Sequence, residues 1–156
     1  MFGQRLLPVE DSTPSRARRY VVDRCFEWCL PTETREIAEL VVSELVTNSI
    51  AETRAWHERV MVGEEPDQEG LMTAAFGSFP LYWAVWVNAY LFKGSRFLVV
   101  ETWDVSRRAP KRLSVDADSV GGRGLEIVDA LSDRWGYRWP NSGGKVVFAR
   151  LPVARS

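Results

Sequence analysis

The chain has 156 residues and a mass of 17.8 kDa, the length of one domain with its own core. Hydrophobic residues make up 46% and charged residues 26%, which excludes a disordered chain, and the formal charge of −1 excludes the broad basic footprint of a nucleic-acid binder. The longest apolar run, Pro80 to Phe92, is far short of the ~20 residues of a membrane helix and contains Asn88.

Arg5 to Val9 reads as a first strand, and Ser12 offers a cap to a helix with Pro14 in its first turn. Ala17, Tyr20, Val21, Cys25 and Trp28 recur at spacings of three and four, one apolar stripe of a helix ending near Leu30. Cys25 and Cys29 share that helix and read as two core thiols in a reducing compartment. No signal-peptide pattern occurs in Met1 to Glu10, so a cytoplasmic location is expected, with no direct nucleic-acid partner and no membrane partner.

Pro31-Thr32 starts a second helix, about Glu33 to Glu52, with Ile37, Leu40, Val41 and Leu45 as its inward stripe. At about 100° per residue, Glu44 and Asn48 fall roughly 40° apart, between Leu40 and Val41 on that stripe. A carboxylate and an amide placed there need partners, from inside the protein or from a ligand.

Thr53 to Phe79 loses the pattern. Ala51 to Val62 could prolong the helix, while Gly63 to Gly70 is acidic and reads as loop, its carboxylates toward solvent. Leu81 to Phe92 alternates, with Trp83, Val85, Val87, Ala89 and Leu91 on one face and Tyr82, Trp86 and Tyr90 on the other. Lys93-Gly94-Ser95 turns the chain into a second strand, Arg96 to Asp104, whose inward face carries Leu98, Val100, Thr102 and Asp104. Val105 to Val120 reads as loop, and Gly121 to Gly124 opens onto a helix with Leu125, Val128 and Leu131 on one face. Arg134 to Trp139 and Lys145 to Leu151 form a closing hairpin. This order predicts an α+β fold of two layers, helices on one face of a largely antiparallel mixed sheet, as a single domain over 1–156.

Three features need one explanation: Glu44-x-x-x-Asn48 on a helix, Asp104 at a strand end, and glycines at a helix start. Free N–H groups at such a start favour phosphate, and Mg²⁺ held on phosphates needs only one or two protein ligands. An Asp in an apolar slot accepts a hydrogen bond from an adenine amino group. The set reads as a Mg–ATP site.

In chain order, Glu44-Leu-Val-Thr-Asn48 resembles the N-box of the GHKL ATP-binding fold. Asp104-Val-Ser106 resembles its first glycine box, and Gly122-Arg-Gly-Leu125 its second. The resemblance covers about Leu6 to Glu52 and Leu81 to Leu151, and is nearest to the stand-alone actinomycete anti-sigma-factor serine/threonine kinases. It implies a Bergerat-type sandwich binding ATP and Mg²⁺, with Asn48 as metal ligand, Asp104 on adenine and Gly122 and Gly124 along the phosphates. Ser106, Arg123 and Leu125 complete the nucleotide-binding set, and Glu44 stands where kinase-competent members carry a general base. The implied reaction moves the γ-phosphoryl of ATP to a serine of an anti-sigma antagonist protein. In a two-layer fold one sheet face is left uncovered, so Tyr82, Trp86 and Tyr90 there read as an association patch, and the resemblance implies a homodimer as well.

Departures from the family pattern keep a second reading open, a non-catalytic, nucleotide-gated module that sequesters a sigma factor or other partner. The first glycine box has Ser106 for its Gly, and Val120 stands where some active kinases carry Arg, with Arg123 as a substitute. Residues 53–79 exceed the usual link, and an empty, purely structural pocket is the third reading. The single histidine, His57, reads as a surface residue.

Overall fold

The computed structural model describes residues 1–65, 75–76, 79–80, 83–92, 94, 96–110 and 124–154. Its first strand, β1 (Phe2–Pro8), pairs antiparallel with β4 (Ala84–Leu91) and forms one edge of a five-stranded sheet. β5 (Phe97–Asp104), β7 (Lys145–Pro152) and β6 (Arg134–Arg138) follow in the order β1-β4-β5-β7-β6. Every one of these pairings is antiparallel. Helices α1 (Thr13–Glu27), α2 (Thr32–Met61) and α3 (Gly124–Leu131) complete the α+β architecture, α1 and α2 packed on the sheet.

Alternation decides which face of the sheet they cover. Val85, Val87, Leu98, Val100, Val147 and Leu151 turn inward and meet Ala17, Val21, Val41, Val42, Leu45 and Val46 from α1 and α2. Burying aliphatic side chains of this size stabilises by about 1.5–3 kcal/mol each.

The start of α1 is held by Thr13. Its hydroxyl donates to the Pro8 carbonyl at 2.5 Å and accepts from the Glu10 N–H at 3.1 Å. Ser12 occupies the N-cap position without a capping bond, and its hydroxyl turns to the Glu10 carboxylate. At the other end, Leu30 N–H bonds the Cys25 carbonyl and Cys29 N–H the Phe26 carbonyl, the Schellman pattern. Cys29 takes the left-handed position, φ 54°, and is exposed, so only Cys25 is a core thiol.

α2 runs 30 residues, well past the expected end at Glu52. No Gly or Pro interrupts it before Gly63, which at φ 75° closes it with a second Schellman pair, Glu64 N–H to Arg59 O and Gly63 N–H to Val60 O. Its buried face runs through Ala38, Val41, Leu45, Ser49, Thr53 and Trp56, while Leu40 is 54% exposed. The stripe is thus rotated from the expected one, because α2 meets both the sheet and α1. Glu44 and Asn48 lie on its half-buried flank. His57 is half-buried on α2, its ring edge-on to Trp83 at 5.4 Å.

Within 53–79, the first residues are helix. Glu64 is exposed as expected, but Glu65 pairs with Arg59 at 2.6 Å. Short strands β2 (Ala75–Phe76) and β3 (Phe79–Pro80) pair antiparallel, while the acidic Asp67 and Glu69 lie outside the described residues.

Candidate functional site

The ladder between β5 and β7 ends with Asp104 opposite Lys145, both at inward positions. Gly143 and Gly144 turn the chain into β7 with φ of 91° and 68°. A Cβ on Gly144 would strike the Asp104 carbonyl oxygen and the Trp103 indole nitrogen, so the close approach needs glycine. The Trp103 indole N–H donates to the Gly143 carbonyl at 2.9 Å and pins the turn.

Asp104 and Lys145 both have 0% exposure, and Lys145 Nζ donates to Asp104 Oδ1 at 2.7 Å. The Ser106 N–H donates to the same oxygen at 3.0 Å. Asp104 Oδ2 is buried and makes no hydrogen bond among the described residues. Ser49 lies beside the carboxylate and helps to hold its pKa down through a side-chain hydrogen bond, while its hydroxyl is 2.9 Å from Thr102 Oγ1, with either oxygen able to donate. Burial pushes the Asp104 carboxyl up to about 6; the charge and hydrogen bond of Lys145 oppose that rise, and the charge of Glu52 adds to it.

The facing wall is α2. Glu44, Asn48 and Glu52 are spaced one turn apart along its flank. Glu52 Oε2 accepts from the Ser106 hydroxyl at 3.0 Å and lies 4.0 Å from Lys145 Nζ. Glu44 Oε2 sits 2.5 Å from the point where a Cβ on Gly124 would stand, so the carboxylate reaches the start of α3 through a gap only glycine leaves. A carboxylate there also meets the positive end of the helix dipole. Asn48 Nδ2 is buried and makes no hydrogen bond among the described residues.

Six of the expected site residues are therefore in the described part. Glu44 and Gly124 are in contact, Asp104 and Ser106 are hydrogen-bonded, and Asn48 stands one turn from Glu44 and one turn from Glu52 on α2. Leu125 is buried in the first turn of α3. Gly122 and Arg123 lie outside the described residues, as do Val120 and Tyr82. Ser106 is committed to the protein: its hydroxyl donates to Glu52 and accepts from the Arg108 N–H.

Two participants escaped the sequence reading. Lys145 looked like an ordinary strand residue, and only the β5–β7 register brings it to Asp104. Glu52 had a visible signal, because it continues the four-residue spacing of Glu44 and Asn48.

Among the described residues the buried Asp104 Oδ2 has no partner and can accept from an N–H donor, and Asn48 Nδ2 on α2 has no acceptor. Among the described residues no three His, Cys, Asp or Glu side chains gather to hold a metal, and no helix is long and apolar enough to cross a membrane. No protein-family model matches the chain, and no curated protein matches it.

Proposed function

We propose that the chain is a cytoplasmic ATP-binding regulatory protein similar to the anti-sigma-factor serine/threonine kinases. The observation that carries the reading is Oδ2 of Asp104, buried and without a hydrogen-bond partner among the described residues. A fold leaves such an atom without a partner at a cost of about 1–3 kcal/mol, and a ligand that satisfies it removes that cost. Asp104 would accept from the adenine amino group, and Asn48 would hold Mg²⁺ through its side-chain oxygen. Gly122, Arg123, Gly124 and Leu125 would form the phosphate end, where the start of α3 offers N–H groups. Bound Mg²⁺ supplies charge neutralisation at the phosphates.

Glu44 would take the proton from the serine hydroxyl of an antagonist protein as the γ-phosphoryl transfers. One observation favours the second reading, a nucleotide-gated module that sequesters a sigma factor or another partner. The Glu44 carboxylate is packed on Gly124 and would have to leave it to serve as base. Calorimetry with and without Mg²⁺ tests nucleotide binding, and γ-labelled ATP with candidate antagonist proteins separates kinase from module. Absence of ATP binding in both conditions would falsify the shared core of the two readings.

Self-association belongs to the same proposal. Trp86 and Tyr90 lie half-buried on the sheet face opposite the helices, with exposed Phe2 packed on Tyr90 at 5.0 Å between ring centroids. Light scattering at a concentration of about 100 μM checks for the dimer; a monomer there rejects one with a micromolar constant.

A further inference from the structure

We propose that Lys145 is a positioning residue for the base-binding carboxylate: it clamps Oδ1 of Asp104, keeps the group an anionic acceptor, and so leaves Oδ2 as the oxygen that reads a ligand N–H donor. The inference rests on the ATP reading for the identity of the ligand, but its first test does not.

A fully buried carboxylate left alone takes up a proton, since burial disfavours the charged form. A protonated Asp104 would present an O–H donor where an amino group must donate, and recognition of that edge would be lost. Lys145, with 0% exposure, is the cation that opposes this, at 2.7 Å. Glu52 on α2 acts the other way as a second negative charge near the pair, while Ser49 on α2 and the Ser106 N–H after β5 are the neutral groups that face Asp104. The geometry also divides the work between the two oxygens. Both Lys145 and Ser106 N–H go to Oδ1, and neither uses Oδ2. A lysine whose role was to satisfy the carboxylate as a structural pair would leave no reason for an orphan oxygen beside it.

The ammonium adds a second element of recognition. One of its three protons goes to Oδ1, and Glu52 at 4.0 Å is beyond hydrogen-bond distance. Among the described residues a donor therefore stands next to an acceptor that no other group uses. That pair fits a ring edge with an amino group adjacent to a ring nitrogen, as in adenine.

The test follows the ¹³C shift of the Asp104 carboxyl through a pH titration of the full ligand-free chain. Wild type should titrate near pH 6. Lys145→Met should move the midpoint up by about one unit or more, and Lys145→Arg should restore it to within about half a unit. Lys145→Gln separates charge from hydrogen bond, because it donates without a charge, and serves alone should the Met variant fail to fold. A Gln midpoint at the wild-type value would overturn the proposal.

The second readout is ATP affinity against pH by calorimetry. In wild type it should weaken as pH falls through about 6, and in Lys145→Gln the same loss should begin at higher pH. An equal loss at every pH would mark Lys145 as merely structural and overturn its role. If wild type binds no ATP at any pH while the carboxyl midpoints move as expected, the ATP reading fails and the hold of Lys145 on Asp104 stands.

Discussion

Strand β5 buries two carboxylates three residues apart, on opposite faces of the sheet, and they are treated in opposite ways. Glu101 turns away from the helices and is 4% exposed. It accepts from Tyr90 at 2.6 Å, from Asn88 at 3.0 Å and from both Arg138 guanidinium nitrogens at 2.9 and 3.2 Å. Burial alone would raise its carboxyl, yet these partners outweigh burial and hold it below its ordinary value. Asp104 turns toward the helices with one oxygen doubly bonded and the other with none, and burial wins. Glu101 closes its own network and can be explained by the fold. Asp104 has an oxygen that no described residue hydrogen-bonds, which makes it the candidate for a ligand contact.

The largest expected effect lies on rate. A general base contributes about 10²–10⁴-fold, so Glu44→Gln should reduce phosphoryl transfer by that order at unchanged ATP affinity. Glu101→Gln should leave transfer per folded molecule unchanged. Equal rates in Glu44→Gln and wild type would remove the base and leave the module reading.

The next effect is on stability. Glu101→Ala strips three partners of their shared acceptor, and we expect a loss of about 2–4 kcal/mol in urea unfolding. The double change Asp104→Leu with Lys145→Met removes a whole buried ion pair together, and such replacements are neutral or stabilising by about 1–4 kcal/mol. It should abolish ATP binding all the same. A large destabilisation by the double change would make Asp104 a structural residue like Glu101 and collapse the contrast.

The pH dependence has opposite signs at the two positions. The lowered Glu101 contributes stability that is present above its ordinary pKa of 4.5 and lost as pH falls through its lower folded value. The raised Asp104 makes folding less favourable as pH climbs from its ordinary 3.8 toward about 6, and contributes no further change above that. Its full span is on the order of 3 kcal/mol. Unfolding curves of wild type and the Asp104→Leu, Lys145→Met variant should therefore diverge between these two values, with the variant gaining relative stability as pH rises. Parallel curves would mean that Asp104 carries no such strain.

The smallest effect sharpens the metal side. Asn48→Ala should weaken ATP binding more with Mg²⁺ than without it, since it removes the proposed metal ligand while leaving Asp104 intact. Equal weakening in both conditions would reassign Asn48 from the metal to the nucleotide.

Periodicity alone determined the elements on which this contrast is built. Alternation over Val85 to Leu91 and Leu98 to Asp104 identified both central strands and their buried faces, because a half-buried strand repeats every two residues whatever it pairs with. The four-residue spacing of Ala17, Val21 and Cys25 did the same for α1. The order of Glu44, Asn48, Asp104 and Gly124 along the chain was enough to mark a candidate site. The rotation of α2 was beyond such reading, because Leu40 and Val46 are equally apolar and only the docking partners decide which is buried. Lys145 was beyond it for a stronger reason. A lysine is ordinarily a solvated residue, and nothing local distinguishes one that will be sealed against a carboxylate 41 positions away. The β5–β7 register and the glycine turn before β7 decide that, and with it which oxygen of Asp104 is left unpaired.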